Sequence, residues 1–142
     1  MYFLSFSAEA TTPAGGLLMN LINPVKKLFY EKFHNKTYTL DLDEIFIVFV
    51  CISNDMQTDG KIYKDKKYIS KKNRYADIRL NINYEEFIVS QQPQRIDLIW
   101  NIVKEAITIV AQRVPSINRN ELINDIKFCF ELVYFSNLRS NA

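Results

Sequence analysis

The stretch ADIRLNINYEEF, residues 76–87, constrains this chain more than any other. Ala76, Ile78, Leu80 and Ile82 alternate with Asp77, Arg79, Asn81 and Asn83. An apolar/polar period of two is the mark of a strand with one face in the core and one face wet. Within two residues the pattern changes, and Tyr84 and Phe87 stand three apart, which is a helical spacing. A one-faced strand that passes at once into a helix belongs to an α+β chain.

The remaining elements follow from the same two periods. Residues 2–7 predict a short first strand, and residues 8–16 (AEATTPAGG) a loop. Leu18, Leu21, Ile22, Val25, Leu28, Phe29 and Phe33 then recur at steps of three and four, predicting a helix over 17–33. Pro24 inside it predicts a kink or break near Asn23. Residues 45–52 are apolar throughout, which predicts a central strand covered on both faces. Residues 61–69 and 75–83 predict an antiparallel hairpin. SQQP (90–93) offers a cap and a proline at a helix start, and Ile96, Ile99, Val103, Ala106, Ile107 and Val110 form the stripe of the helix that follows. Asn118 and Glu121 outline a capping box for a last helix. The expected architecture is one domain, residues 1–142, of order β-α-β-β-β-α-α. Its sheet is small, mainly antiparallel and about four-stranded, with helices packed on one face.

At 142 residues, with 48% apolar and 24% charged side chains, the chain can bury one substantial core. Cys51 and Cys129 both lie in apolar runs and are expected to be reduced and buried, as in a cytoplasmic protein. The N-terminus lacks the basic lead and apolar core of a signal peptide. The longest apolar run, eight residues, falls short of the roughly 18 a membrane span requires, so no membrane partner is expected.

No catalytic signature emerges. A lone His34 cannot make a zinc site, and with Cys51 it reads better as a surface histidine and a core thiol than as a nucleophile–base couple. Walker, dinucleotide, G-x-S-x-G and H-E-x-x-H motifs are all missing, and no cofactor is expected. Asp41, Asp43 and Glu44 cluster ahead of the central strand, and Glu85 and Glu86 follow the opening strand. Such acids can hold Mg²⁺ in a hydrolase, but a solvated strand start explains them as well.

The strongest charge signal is KIYKDKKYISKKNR, residues 61–74. Lys61, Lys64, Lys66, Lys67, Lys71, Lys72 and Arg74 against one acid give a local net of +6, leaving −4 on the rest. Interleaved tyrosines suit a nucleic-acid-binding module over residues 61–75. Lysines that guard a sheet edge are the plainer account.

Residues 76–113 also resemble a group of small bacterial immunity proteins from polymorphic toxin and contact-dependent growth-inhibition systems. The resemblance lies in an R-L-x-I-x-Y-x-x-F segment, here Arg79, Leu80, Ile82, Tyr84 and Phe87, ahead of a long helix. It implies a non-enzymatic role: binding a cognate toxin C-terminal domain in the cytoplasm of the producing cell. A basic nuclease toxin would favour the acidic remainder, Asp41, Asp43, Glu44, Asp55, Asp59, Glu85 and Glu86; an acidic toxin would favour the hairpin. Asp77, Arg79 and Asn81 would form either a solvated face or a patch offered to a partner, and Arg79 is expected to anchor a neighbouring helix or loop through a fork of hydrogen bonds.

Overall fold

The computed structural model describes residues 3–8, 12–38, 47–54, 63–70 and 75–135. Strand β1 (Phe3–Ala8) leads to helix α1 (Pro13–Phe33), followed by β2 (Ile47–Asn54), β3 (Tyr63–Ser70) and β4 (Tyr75–Ile82). Helices α2 (Tyr84–Val89), α3 (Gln92–Arg113) and α4 (Arg119–Phe130) complete the order, with a π-helical turn at Glu131–Phe135.

The strands stand side by side as β1-β2-β4-β3. β1 pairs with β2 in parallel, and β2 with β4 in parallel; only the β3–β4 hairpin is antiparallel. The expected mainly antiparallel sheet is therefore wrong, although the chain is α+β. The reason lies in the connections. At 1.5 Å per residue the 21-residue α1 spans about 30 Å, enough to carry the chain back along β1 so that β2 starts from the same end. β3 serves as the return stroke between β2 and β4, and so takes the outer place. The element order also differs from the expected one, because residues 84–89 form a helix of their own ahead of two more.

One buried cluster joins the sheet to the helices. Val48, Val50 and Ile52 of β2 lie in register with Ala76, Ile78 and Leu80 of β4, and all six are buried. They meet Leu18, Ile22 and Val25 of α1, Ile102, Val103 and Ala106 of α3, and Ile126 and Cys129 of α4. Of the odd positions, Ser7, Phe49 and Arg79 are exposed and Cys51, Asp77 and Asn81 are half-buried. Phe49 is 39% exposed, so β2 is not covered on both faces as expected. Nor is Cys51 buried, since it shares that uncovered row and is only partly enclosed.

Local chemistry sets the element ends. The segment expected as a loop at 8–16 starts its helix at Pro13, because the Thr12 hydroxyl accepts the Gly15 N–H at 3.0 Å and the proline ring suits a first helical position. Helix α1 runs unbroken through Pro24, which lies on its exposed side. Helix α3 begins beside Pro93 but without the expected side-chain cap. Ser90 is used by α2 instead, its hydroxyl donating to the Glu86 carbonyl at 2.6 Å. Asn118 caps α4 by accepting the Glu121 N–H at 3.2 Å. Its own N–H goes to the Tyr38 carbonyl at 2.6 Å, so Glu121 bonds the Asn118 side-chain amide rather than closing the box on the backbone.

Candidate functional site: the uncovered face of the sheet

The switch at 82–84 rests on Asn83 and Tyr84. The Asn83 side chain accepts the Glu86 N–H at 3.1 Å and so caps α2. Tyr84 is buried, its backbone N–H donating to Asn54 Oδ1 and its hydroxyl to the Ile52 carbonyl, both at 2.9 Å. Both bonds go to the end of β2, so α2 begins where the parallel strands β2 and β4 end together. This ties the helices to one side of the sheet and, among the described residues, leaves no helix over the other side.

On that bare side the rows run across three strands. Ser5 and Ser7 of β1 lie opposite Phe49 and Cys51 of β2, which lie opposite Asp77 and Arg79 of β4. Tyr75 packs its ring edge-on to Phe49, with ring centres 6.2 Å apart. Ser7 donates to the Cys51 sulfur at 3.3 Å, and that thiol lies 4.0 Å from Asp77 Oδ1. Arg79 meets Asp77 at 3.7 Å, with side chains 48% and 29% exposed. A pair so exposed adds little stability.

Arg79 is thus not the helix anchor expected of it. That fork belongs to Arg95, whose Nε donates to the Phe87 carbonyl at 3.0 Å and whose terminal nitrogen donates to Ile88. The guanidinium also stacks over the Phe87 ring, 5.8 Å from its centre. Sequence reasoning missed Arg95. Its signal was a basic residue eight positions past a buried aromatic at a helix end, which suits C-terminal carbonyls. The other residues of the resemblance, Leu80, Ile82, Tyr84 and Phe87, are all buried and act as core and corner.

Of the acidic residues expected to bind a partner, Glu85 and Glu86 are exposed in the first turn of α2, where the helix dipole already favours negative charge. Asp41, Asp43, Glu44, Asp55 and Asp59 lie outside the described residues. Of the basic alternative, Lys64, Lys66 and Lys67 fall on β3, and Lys61, Lys71, Lys72 and Arg74 lie outside the described residues. β3 is an outer strand, where lysines discourage unwanted strand pairing. Lys66 stands opposite Arg79 in the ladder, next to the bare face.

Elsewhere the polar groups serve the fold. Lys36 lies 2.7 Å from Asp125 and 2.6 Å from Glu121, and Asp125 above all, then Glu121, holds its ammonium above the usual lysine range. Tyr38 donates to Asp125 at 2.7 Å, and burial, then that bond, pushes its phenol upward. Together they fasten the chain after α1 onto α4. Burial also raises the Cys129 thiol to about 11. His34 sits at the end of α1 with Nδ1 3.0 Å from the Tyr30 carbonyl. Hollows also lie among the described helices. An open polar groove of about 510 Å³ is lined by Lys104, Glu105 and Arg119, and an apolar cleft of about 200 Å³ by Trp100, Phe130 and Phe135. Among the described residues, no three His, Cys, Asp or Glu gather where a metal could be held, and no helix is long and apolar enough to cross a membrane.

The model of one protein family, immunity protein 44, matches residues 3–131. This chain belongs to that family. The match spans every element from β1 to α4, so the bare sheet face and the switch at Asn83 and Tyr84 lie inside the family's domain. No curated protein and no solved structure matches the chain. Membership in an immunity family implies a cognate toxin as partner and suggests a task other than catalysis.

Proposed function

We propose that this protein protects its producing cell by binding the C-terminal domain of a cognate toxin in the cytoplasm, as part of a polymorphic toxin or contact-dependent growth-inhibition system. The whole chain acts as one binding domain. The observation that carries this reading is the family match over residues 3–131. Two features support it. The sheet presents a face of aromatic, hydroxyl and charged side chains on rigid strands, and its helices bury their apolar stripes against the opposite face. An inhibitor acts by covering a surface, and a nanomolar complex, about −12 kcal/mol, needs only a few well-placed anchors within such a surface.

The test is rescue. Cells that express the toxin domain encoded beside this gene should die, and co-expression of this protein should restore growth. The two proteins should also co-purify. Death that this protein leaves unchanged, with no complex recovered, would overturn the reading.

A further inference from the structure

We propose that the toxin docks on the uncovered β2–β4 face and its β3 flank, with Phe49 and Arg79 as its main anchors, and that the toxin surface received there is acidic. This inference rests on the neutralisation reading above and adds where and with what chemistry the partner binds.

Four observations lead to it. First, the bare rows hold the residue types that carry binding energy at protein interfaces, an exposed Phe, a Tyr and an Arg, on strands that need no ordering. Second, Phe49 is 39% exposed at the middle of a central strand, where a polar residue would serve a merely solvated face better. Third, the area sets how far the contact must reach. Four strands about 4.8 Å apart, with six to eight residues each at about 3.3 Å, offer roughly 500 Å² in plan. A standard interface takes about 800 Å² of accessible surface per partner, so a contact of that size engages the whole face and reaches its edges. Fourth, the edge beside Arg79 is β3, where Lys66 stands opposite Arg79 in the ladder, whereas Lys64 and Lys67 stand opposite the inner-row Leu80 and Ile78. In these outer rows Asp77 offsets one of the two charges of Arg79 and Lys66, so an approaching surface meets a positive excess, which steers and selects an acidic partner. The acidic pair on α2, Glu85 and Glu86, is the competing site, but the dipole of its own helix accounts for it.

The experiment uses the purified full chain and an inactivated form of the toxin domain encoded beside its gene. Affinity is measured for the wild type, Phe49→Ala, Arg79→Glu and the double variant Glu85→Lys/Glu86→Lys, with thermal melts to show that each is folded. Phe49→Ala and Arg79→Glu should each weaken binding by about 30-fold or more, the size of an interface hot spot, and the double variant should bind as the wild type does. The association rate should fall as salt is raised. The Cys51 thiol, half-enclosed on this face, should react with an alkylating agent in the free protein and be shielded in the complex. This readout needs no substitution.

Normal binding by Phe49→Ala and Arg79→Glu, a Cys51 still open to alkylation in the complex, or loss of binding in the double variant would overturn the docking face while leaving neutralisation intact. An association rate that rises with salt would overturn the acidic assignment. A wild type that does not bind the toxin removes the neutralisation reading and this one with it. If instead it binds a uridine oligonucleotide that Arg79→Glu no longer holds, the face belongs to single-stranded nucleic acid and the proposal is wrong.

Discussion

The two rows of β4 differ by one residue step and have little else in common. Ala76, Ile78, Leu80 and Ile82 are each at most 1% exposed, whereas Asp77 and Arg79 reach solvent and pair loosely with each other. The two cysteines repeat the contrast. Cys51 lies on the open face within reach of Ser7 and Asp77, and Cys129 is sealed on the buried side of α4. The lesson is a division of labour across the thickness of one sheet: the inner row holds the fold and the outer row is free for a partner. The outer row should then tolerate change without loss of stability, and the inner row should not.

The largest expected effect is on the inner row. Ile78→Ala should cost about 2–5 kcal/mol in a denaturant melt, the range for deleting a fully buried branched side chain. A cost below about 1 kcal/mol would mean that the sheet is not what the helices grip.

Next comes the buried thiol. Its folded value, about 11, exceeds its ordinary 9.0, so between those limits the unfolded chain has lost a proton that the folded chain keeps. Stability from this source is complete below pH 9 and fades as pH climbs toward 11, by about 2–3 kcal/mol at 1.36 kcal/mol per unit. Urea melts should show the decline starting near pH 9 in the wild type. In Cys129→Ala it should start only near pH 10, where the raised Tyr38 and Tyr134 phenols take over. Identical profiles would remove Cys129 from the account.

A smaller effect probes the hinge between the rows and the helices. Asn83→Ala leaves the first turn of α2 without its acceptor and should cost about 1 kcal/mol. Amide exchange should quicken over Tyr84–Val89 more than over α3; uniform quickening would deny that the cap acts locally.

The smallest effect sharpens the comparison most. Arg79→Ala should stay within about 0.5 kcal/mol of the wild type, since its ion pair with Asp77 is exposed. A cost near that of Ile78→Ala would show the outer row to be structural.

Much of this was legible in the residues. The alternation over β4 and the stripes of α1 and α3 placed the inner rows correctly, because period and burial are properties of a segment and its solvent. The hairpin and the Asn118 cap were equally local. The sheet's direction was not. The run at 45–52 suggested two covered faces, yet Phe49 stands open, because a run of apolar residues does not say how many faces the helices will cover. The fork expected of Arg79 fell to Arg95 for a similar reason. Each could serve as a fork by its chemistry, and only the turn from α2 into α3 brings one of them to the free carbonyls. As for the candidate site, Asp77 and Arg79 could be assigned to an outer row, but its neighbours across β1 and β2 could not.

What the sequence determined by itself, then, was most of the elements and the inward row of β4. Only the tertiary structure decided that β1, β2 and β4 run parallel, that β3 takes the basic edge, and that Phe49, Cys51 and Arg79 share one open face. The physical reason is that pattern within a segment records which side meets water, whereas strand order and direction depend on where a crossover helix delivers the chain. That delivery is settled by pairing between residues far apart in the chain, such as Phe3 with Ile47 and Ile47 with Tyr75.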